Sequence, residues 1–178
     1  MENSLRKIFN ENYSEAKYHS LLEDIQTLCK IKPDFRVAET PVFIPKVFKE
    51  KMLDTCEIII DFILDDNFKA LTQNSIPEEF HLPNENQHPE MLVFDFGICE
   101  NNQKELEPQL IEMQGFPSIY GFQIIADELY RKTYNLPEKL SSYLNGYNKE
   151  SYIELLKSII FGDFSTENVI LLEIEPEK

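Results

Sequence analysis

The chain has 178 residues, 42% of them hydrophobic and 12% aromatic, which is enough to bury a core as one domain or as two partial ones and argues against global disorder. Its 17 Lys and Arg against 32 Asp and Glu give a net charge of −15, a surface that repels nucleic acid and anionic lipid, and no run is long and apolar enough to span a bilayer. Only five glycines are present, so a glycine-rich phosphate-binding loop has little material, and neither GxGxxG nor GxxxxGK followed by Ser or Thr occurs; a nucleotide is not thereby excluded, because a bound metal can locally reverse the field.

The start, MENSLRKIF, lacks the apolar stretch of a secretory signal, and residues 1–12 read as a polar lead-in. Ser14 is placed to cap a helix reaching about Lys30, with Tyr18, Leu21, Leu22, Ile25, Leu28 and Cys29 on one face. Lys32, Pro33 and Asp34 break it, and residues 35–43 are expected to be extended. Arg36, within that piece, is a surface arginine or a contact for phosphate or carboxylate.

Pro45 suits the first turn of a second helix running to about Leu64, with Phe48, Met52, Cys56, Ile59 and Ile63 along its core stripe. Asp65, Asp66 and Asn67 offer a stop and a new cap, followed by a short helical piece at 68–71 and one more turn at 77–80. Residues 81–90 are a polar loop. His19, His81 and His88 have no metal-ligand spacing and read as surface residues. Cys29, Cys56 and Cys99 are far apart and odd in number, as expected of reduced thiols in a cytoplasmic protein rather than of a disulfide framework or a zinc site.

The central stretch is residues 91–123. In its first strand, 91–98, Leu92, Phe94, Phe96 and Ile98 make one apolar face, while Met91, Val93, Asp95 and Gly97 make the other. In the second strand, 109–114, Leu110, Glu112 and Gln114 share a face opposite to Gln109, Ile111 and Met113. The connection between them, 99–108, reads as a long exposed loop. If the strands pair as a hairpin, Asp95, Glu112 and Gln114 converge on one surface, and three such oxygen donors are what Mg2+ accepts, with water and phosphate completing its shell. An ordinary half-buried hairpin with its polar side in water is the alternative. Gly115 is either a simple turn or a place where the backbone bends beside a ligand.

Ser118 is placed to cap a helix carrying Ile119, Phe122, Ile125, Ala126, Leu129 and Tyr130, ended by Asn135, Leu136 and Pro137. A Tyr- and Asn-rich connector leads to a helix at about 149–161, with Ile153, Leu156 and Ile160 as its stripe and Gly162 as its stop. Residues 169–174 are a near-continuous β-branched and aliphatic run, expected to open a parallel α/β sheet. A lone parallel strand needs partners, so the chain is expected to be the front part of a longer protein whose remainder it contacts.

At the hairpin the chain resembles the front half of circularly permuted ATP-grasp proteins, the group that includes glutathionylspermidine synthetase-like ligases. Their pattern is a strand with R-x-D, a variable loop, then a hydrophobic-E-x-N strand and a Pro-containing turn. The matching text here is VFDFG and LIEMQGFP, centred on residues 92–123.

The resemblance implies that Asp95 and Glu112 hold Mg2+ and that Gln114, where the family has Asn, supplies an amide oxygen. Gln114 and Gly115 would lie at the bound ATP. Val93 stands where the family has an arginine that stabilises the transferred phosphoryl group; Arg36 and Arg131 are the candidates to replace it.

The implied fold is α+β or mixed α/β. Helices and an antiparallel hairpin at 1–123 would be the ATP-grasp-like portion, and 124–178 the start of a Rossmann-like unit. The implied activity joins a small-molecule carboxylate to an amine through an acyl phosphate. Two other readings remain: a non-catalytic binding or regulatory module that keeps the fold, and an acidic protein-interaction domain unrelated to ATP.

Overall fold

The structure, a computed structural model, describes residues 3–84, 86–115 and 119–170. They form α-helices α1 (Asn3–Asn12), α2 (Glu15–Cys29), α3 (Lys46–Ile63), α4 (Phe68–Thr72), α5 (Tyr120–Tyr134) and α6 (Lys149–Phe161) and strands β1 (Val93–Glu100) and β2 (Leu106–Gln114). The class is α+β. Contacts divide the chain into two units, one made of residues 1–43 and 119–178, the other of 44–118.

The first unit is helical. Where the sequence suggests a polar lead-in, α1 forms and buries Phe9, with Leu5 one turn before it half-buried against the same core. Ser14 caps α2 by accepting the Lys17 N–H at 3.3 Å. Leu21 and Ile25 of α2 are fully buried, but Leu28, expected on that face, is 54% exposed. α2 packs against α5, and the core joins Phe9, Leu21, Ile25, Val37, Phe43, Leu129 and Tyr134. Fully burying an aliphatic or aromatic side chain of this size contributes about 1.5–3 kcal/mol.

The 35–43 stretch, expected to be extended, forms neither helix nor strand. Tyrosine hydroxyls take its carbonyls instead: Tyr18 donates to Val37 O at 2.7 Å and Tyr130 donates to Ala38 O. Arg131 binds Asp127 at 2.7 Å and donates to Leu140 O at 2.7 Å and Pro137 O at 3.5 Å, tying the segment after α5 to the helix.

Asn148 and Ser151 form a reciprocal capping box at the start of α6, and Gly162 at its end has a φ of 52°. Ile160, expected on the α6 stripe, is 51% exposed. Ile119, expected within α5, precedes it and is 63% exposed. Its expected cap, Ser118, lies outside the described residues. So do residues 171–174 of the expected terminal strand; Val169 and Ile170 are not in a strand, and among the described residues the only sheet is antiparallel.

In the second unit, Pro45 sits just before α3 and Phe48 is buried, with Met52, Cys56, Ile59 and Ile63 half-buried behind it. α3 lies against β2, where Lys51 Nζ donates to Leu106 O at 3.3 Å and stands 3.8 Å from Glu107. Asp65 accepts the Asn67 N–H at 2.8 Å between α3 and α4, and a short 3₁₀ turn forms at Glu78–Phe80.

β1 and β2 pair antiparallel; β1 starts and ends two residues later than expected, leaving Met91 and Leu92 outside it, and β2 starts three residues earlier. The long loop expected at 99–108 is therefore a tight turn at 101–105. The Asn101 side chain organises it by accepting the N–H groups of Gln103 at 2.9 Å and Glu105 at 3.0 Å, while Lys104 takes the left-handed conformation with φ 62°. The register pairs Asp95 with Glu112 and Val93 with Gln114, then shifts, so that Phe96 pairs with Leu110 and Ile111 is left over as a bulge. Cross-strand partners share a face. The bulge therefore moves Leu110 to the face of Phe94 and Phe96, away from Glu112 and Gln114, correcting the strict alternation expected for β2.

Candidate metal site on the hairpin

Asp95 and Glu112 are direct cross-strand partners. Asp95 lies mid-strand in β1 because period-two alternation turns it away from Phe94 and Phe96, whose rings stack at 6.4 Å on the other face. Glu112 and Gln114 lie on the same side of the bulge and keep their alternation. Gln114 Nε2 donates to Glu112 Oε1 at 2.5 Å and reaches Asp95 Oδ2 at 3.5 Å. The amide thus links both carboxylates. Among the described residues no lysine or arginine pairs with either.

Two facing carboxylates repel across a strand pair, and one neutral amide offsets that only in part. A cation between them would offset it more fully. The donor set, two carboxylates and a carboxamide that can turn its oxygen inward, fits a hard cation such as Mg2+, which typically uses one or two carboxylates and completes its shell with water and phosphate. The described residues hold no group of three or more His, Cys, Asp or Glu side chains placed to cage a metal.

Ile111, the bulged residue, is 71% exposed, and its Cδ1 lies 3.7 Å from where a Cβ on Gly97 would stand, so it covers the strand beside the carboxylates. Gly115 does not adopt a positive φ, and a Cβ there would meet Pro89 Cβ at an ordinary 3.6 Å. The residues after it, 116–118, where the resemblance implies a Pro-containing turn, lie outside the described residues.

The two candidate replacement arginines are otherwise engaged. Arg36 pairs with Glu39 at 2.7 Å, and Arg131 is held by Asp127 and the carbonyls of Pro137 and Leu140. The histidines are exposed, as expected; His81 Nε2 lies 3.0 Å from Ile76 O, and His19 lies 3.7 Å from Glu15. Cys29, Cys56 and Cys99 are free thiols, with burial pushing the Cys56 thiol up from its ordinary value.

A concavity of about 990 Å³ opens elsewhere in the second unit, lined by Ile63, Phe68, Ile76, Phe80, Leu82 and His88 among others, and neither carboxylate borders it. Sequence patterning gave no sign of it, because its walls come from short turns and loop residues rather than from a periodic face. No family model, curated protein or solved structure matches the chain.

Proposed function

We propose that the hairpin is the metal-binding part of an ATP-grasp-type ligase, one that joins a carboxylate to an amine through an acyl phosphate. The reading also takes residues 124–178 as the start of a Rossmann-like unit. One juxtaposition supports it: Asp95 and Glu112 face each other across the strands with the Gln114 amide between them. Mg2+, when bound, would bridge nucleotide phosphates and offset their charge. Asp95 and Glu112 would each offer an oxygen, and Gln114 would rotate its amide to present Oε1. It stands opposite Val93, and its extra methylene relative to Asn would alter its reach.

Val93 favours a second reading, a module that binds nucleotide without turning it over. It stands in register with Gln114, and residues 44–118 contain no arginine to supply the missing cation.

Calorimetric titration of the full-length protein with magnesium–ATP tests both. The expected result is a heat of binding that disappears in Glu112→Ala. No heat, or an unchanged heat in that variant, overturns the metal assignment. Binding without ATP consumption in the presence of carboxylates and amines selects the second reading.

A further inference from the structure

We propose that the exposed face of α3 docks a basic amphipathic helix. This face is distinct from the side of α3 that carries the buried Phe48 and the half-buried Met52, Cys56, Ile59 and Ile63. Ile58 and Phe62 on it are 70% and 62% exposed. Ile58 and Phe62 are one turn apart and stand one above the other. Phe62 is held by the Phe68 ring, edge-on with centroids 5.7 Å apart, so one anchor is already ordered.

Carboxylates rim this pair. Asp54 lies one turn before Ile58, Glu57 and Asp61 flank the two apolar side chains, and Asp65 and Asp66 follow. Among the described residues none of these five is paired with a lysine or arginine. Residues 44–118 carry fifteen Asp and Glu against five Lys and no Arg, a net charge of −10.

Charge complementarity selects the occupant. A helix with two apolar anchors at i and i+4, flanked by Lys or Arg, would cover Ile58 and Phe62 while its cations meet the rim. A second copy of this chain, itself at −15, would be repelled, as would nucleic acid.

The test uses a fluorescent peptide of about 18 residues, built only of Leu and Lys with the Leu at helical spacing, and a scrambled peptide of the same composition. The expected result is saturable one-to-one binding that weakens with salt and is poorer for the scrambled peptide. An Ile58→Ser/Phe62→Ser variant with unchanged circular dichroism should bind about tenfold or more weakly, as expected when anchor side chains are removed. Equal binding of both peptides, or a double variant that binds like the wild type, overturns the proposal. So does sedimentation showing a wild-type dimer that the double variant abolishes, since the occupant would then be a second copy.

Discussion

Replacing Glu112 by Gln keeps the size and polarity of the side chain and removes one of two facing charges. Cross-strand partners stand about 5 Å apart, a distance at which two unit charges in water repel by about 0.8 kcal/mol. Without metal and at low salt, Glu112→Gln should therefore make the hairpin more stable by roughly that amount, and by less as salt screens the pair. Magnesium should reverse the order. At a concentration ten times its dissociation constant it would stabilise the wild type by about 1.4 kcal/mol and leave the variant nearly unaffected.

Hydrogen exchange of the cross-strand-bonded amides of β1 and β2 nearest this pair reads it locally. In chelator, exchange should be about fourfold slower in the variant, the factor that corresponds to about 0.8 kcal/mol. In magnesium it should be slower in the wild type. A variant that exchanges faster than the wild type in chelator would show that the Glu112 charge stabilises the hairpin, and the reasoning from repulsion would fail. A wild type indifferent to magnesium would remove the cation.

Ile25→Ala, which empties a fully buried position between α2 and α5, should cost about 2–5 kcal/mol in thermal unfolding followed by circular dichroism; Leu28→Ala, on the exposed side, should stay within about 0.5 kcal/mol. Asn101→Ala removes the acceptor of two turn N–H groups and should cost about 1–2 kcal/mol in urea unfolding, whereas Lys104→Gly relieves a left-handed residue and should gain up to about 1 kcal/mol. Tyr130 is pushed up to about 12, first by burial and then by Tyr134 and Tyr18. The native state thus keeps this proton after the unfolded chain, titrating near the ordinary value of 10, has lost it. Stability should be level below pH 10 and fall as pH rises from there towards 12, tracked by tyrosinate absorbance alongside circular dichroism, and Tyr130→Phe should flatten the fall. Full titration of all eight tyrosines near pH 10 in a chain that is still folded would contradict this.

The elements most legible from sequence were those with local signals at both ends. α6 carries Asn148 and Ser151 at one end and Gly162 at the other, and its bounds match the expectation. α1 is hard to read because only Phe9, with Leu5 half-buried beside it, packs into the core, and that burial depends on Phe43 and Tyr134 far along the chain. Residues 35–43 pair with no strand; two distant tyrosine hydroxyls take the carbonyls of Val37 and Ala38 instead. The turn end of the hairpin is not legible because Leu106, Glu107 and Pro108 do not alternate and the turn is set by the Asn101 side chain rather than by glycine. The carboxylate pair was legible because Asp95, Glu112 and Gln114 all lie on the same side of the bulge. The Gln114 bridge between them was not, since it depends on rotamers.

The extra residue in β2 has a further effect on the carboxylates. Were the ladder to continue uninterrupted from the turn, Asp95 would stand across from Ile111, and Glu112 would be carried round to join Phe94. The pair exists in one slip of the strands and is dismantled in the next, with no side chain changed. Sliding β2 by a single position would take the two carboxylates apart and, with them, the cation site proposed on them.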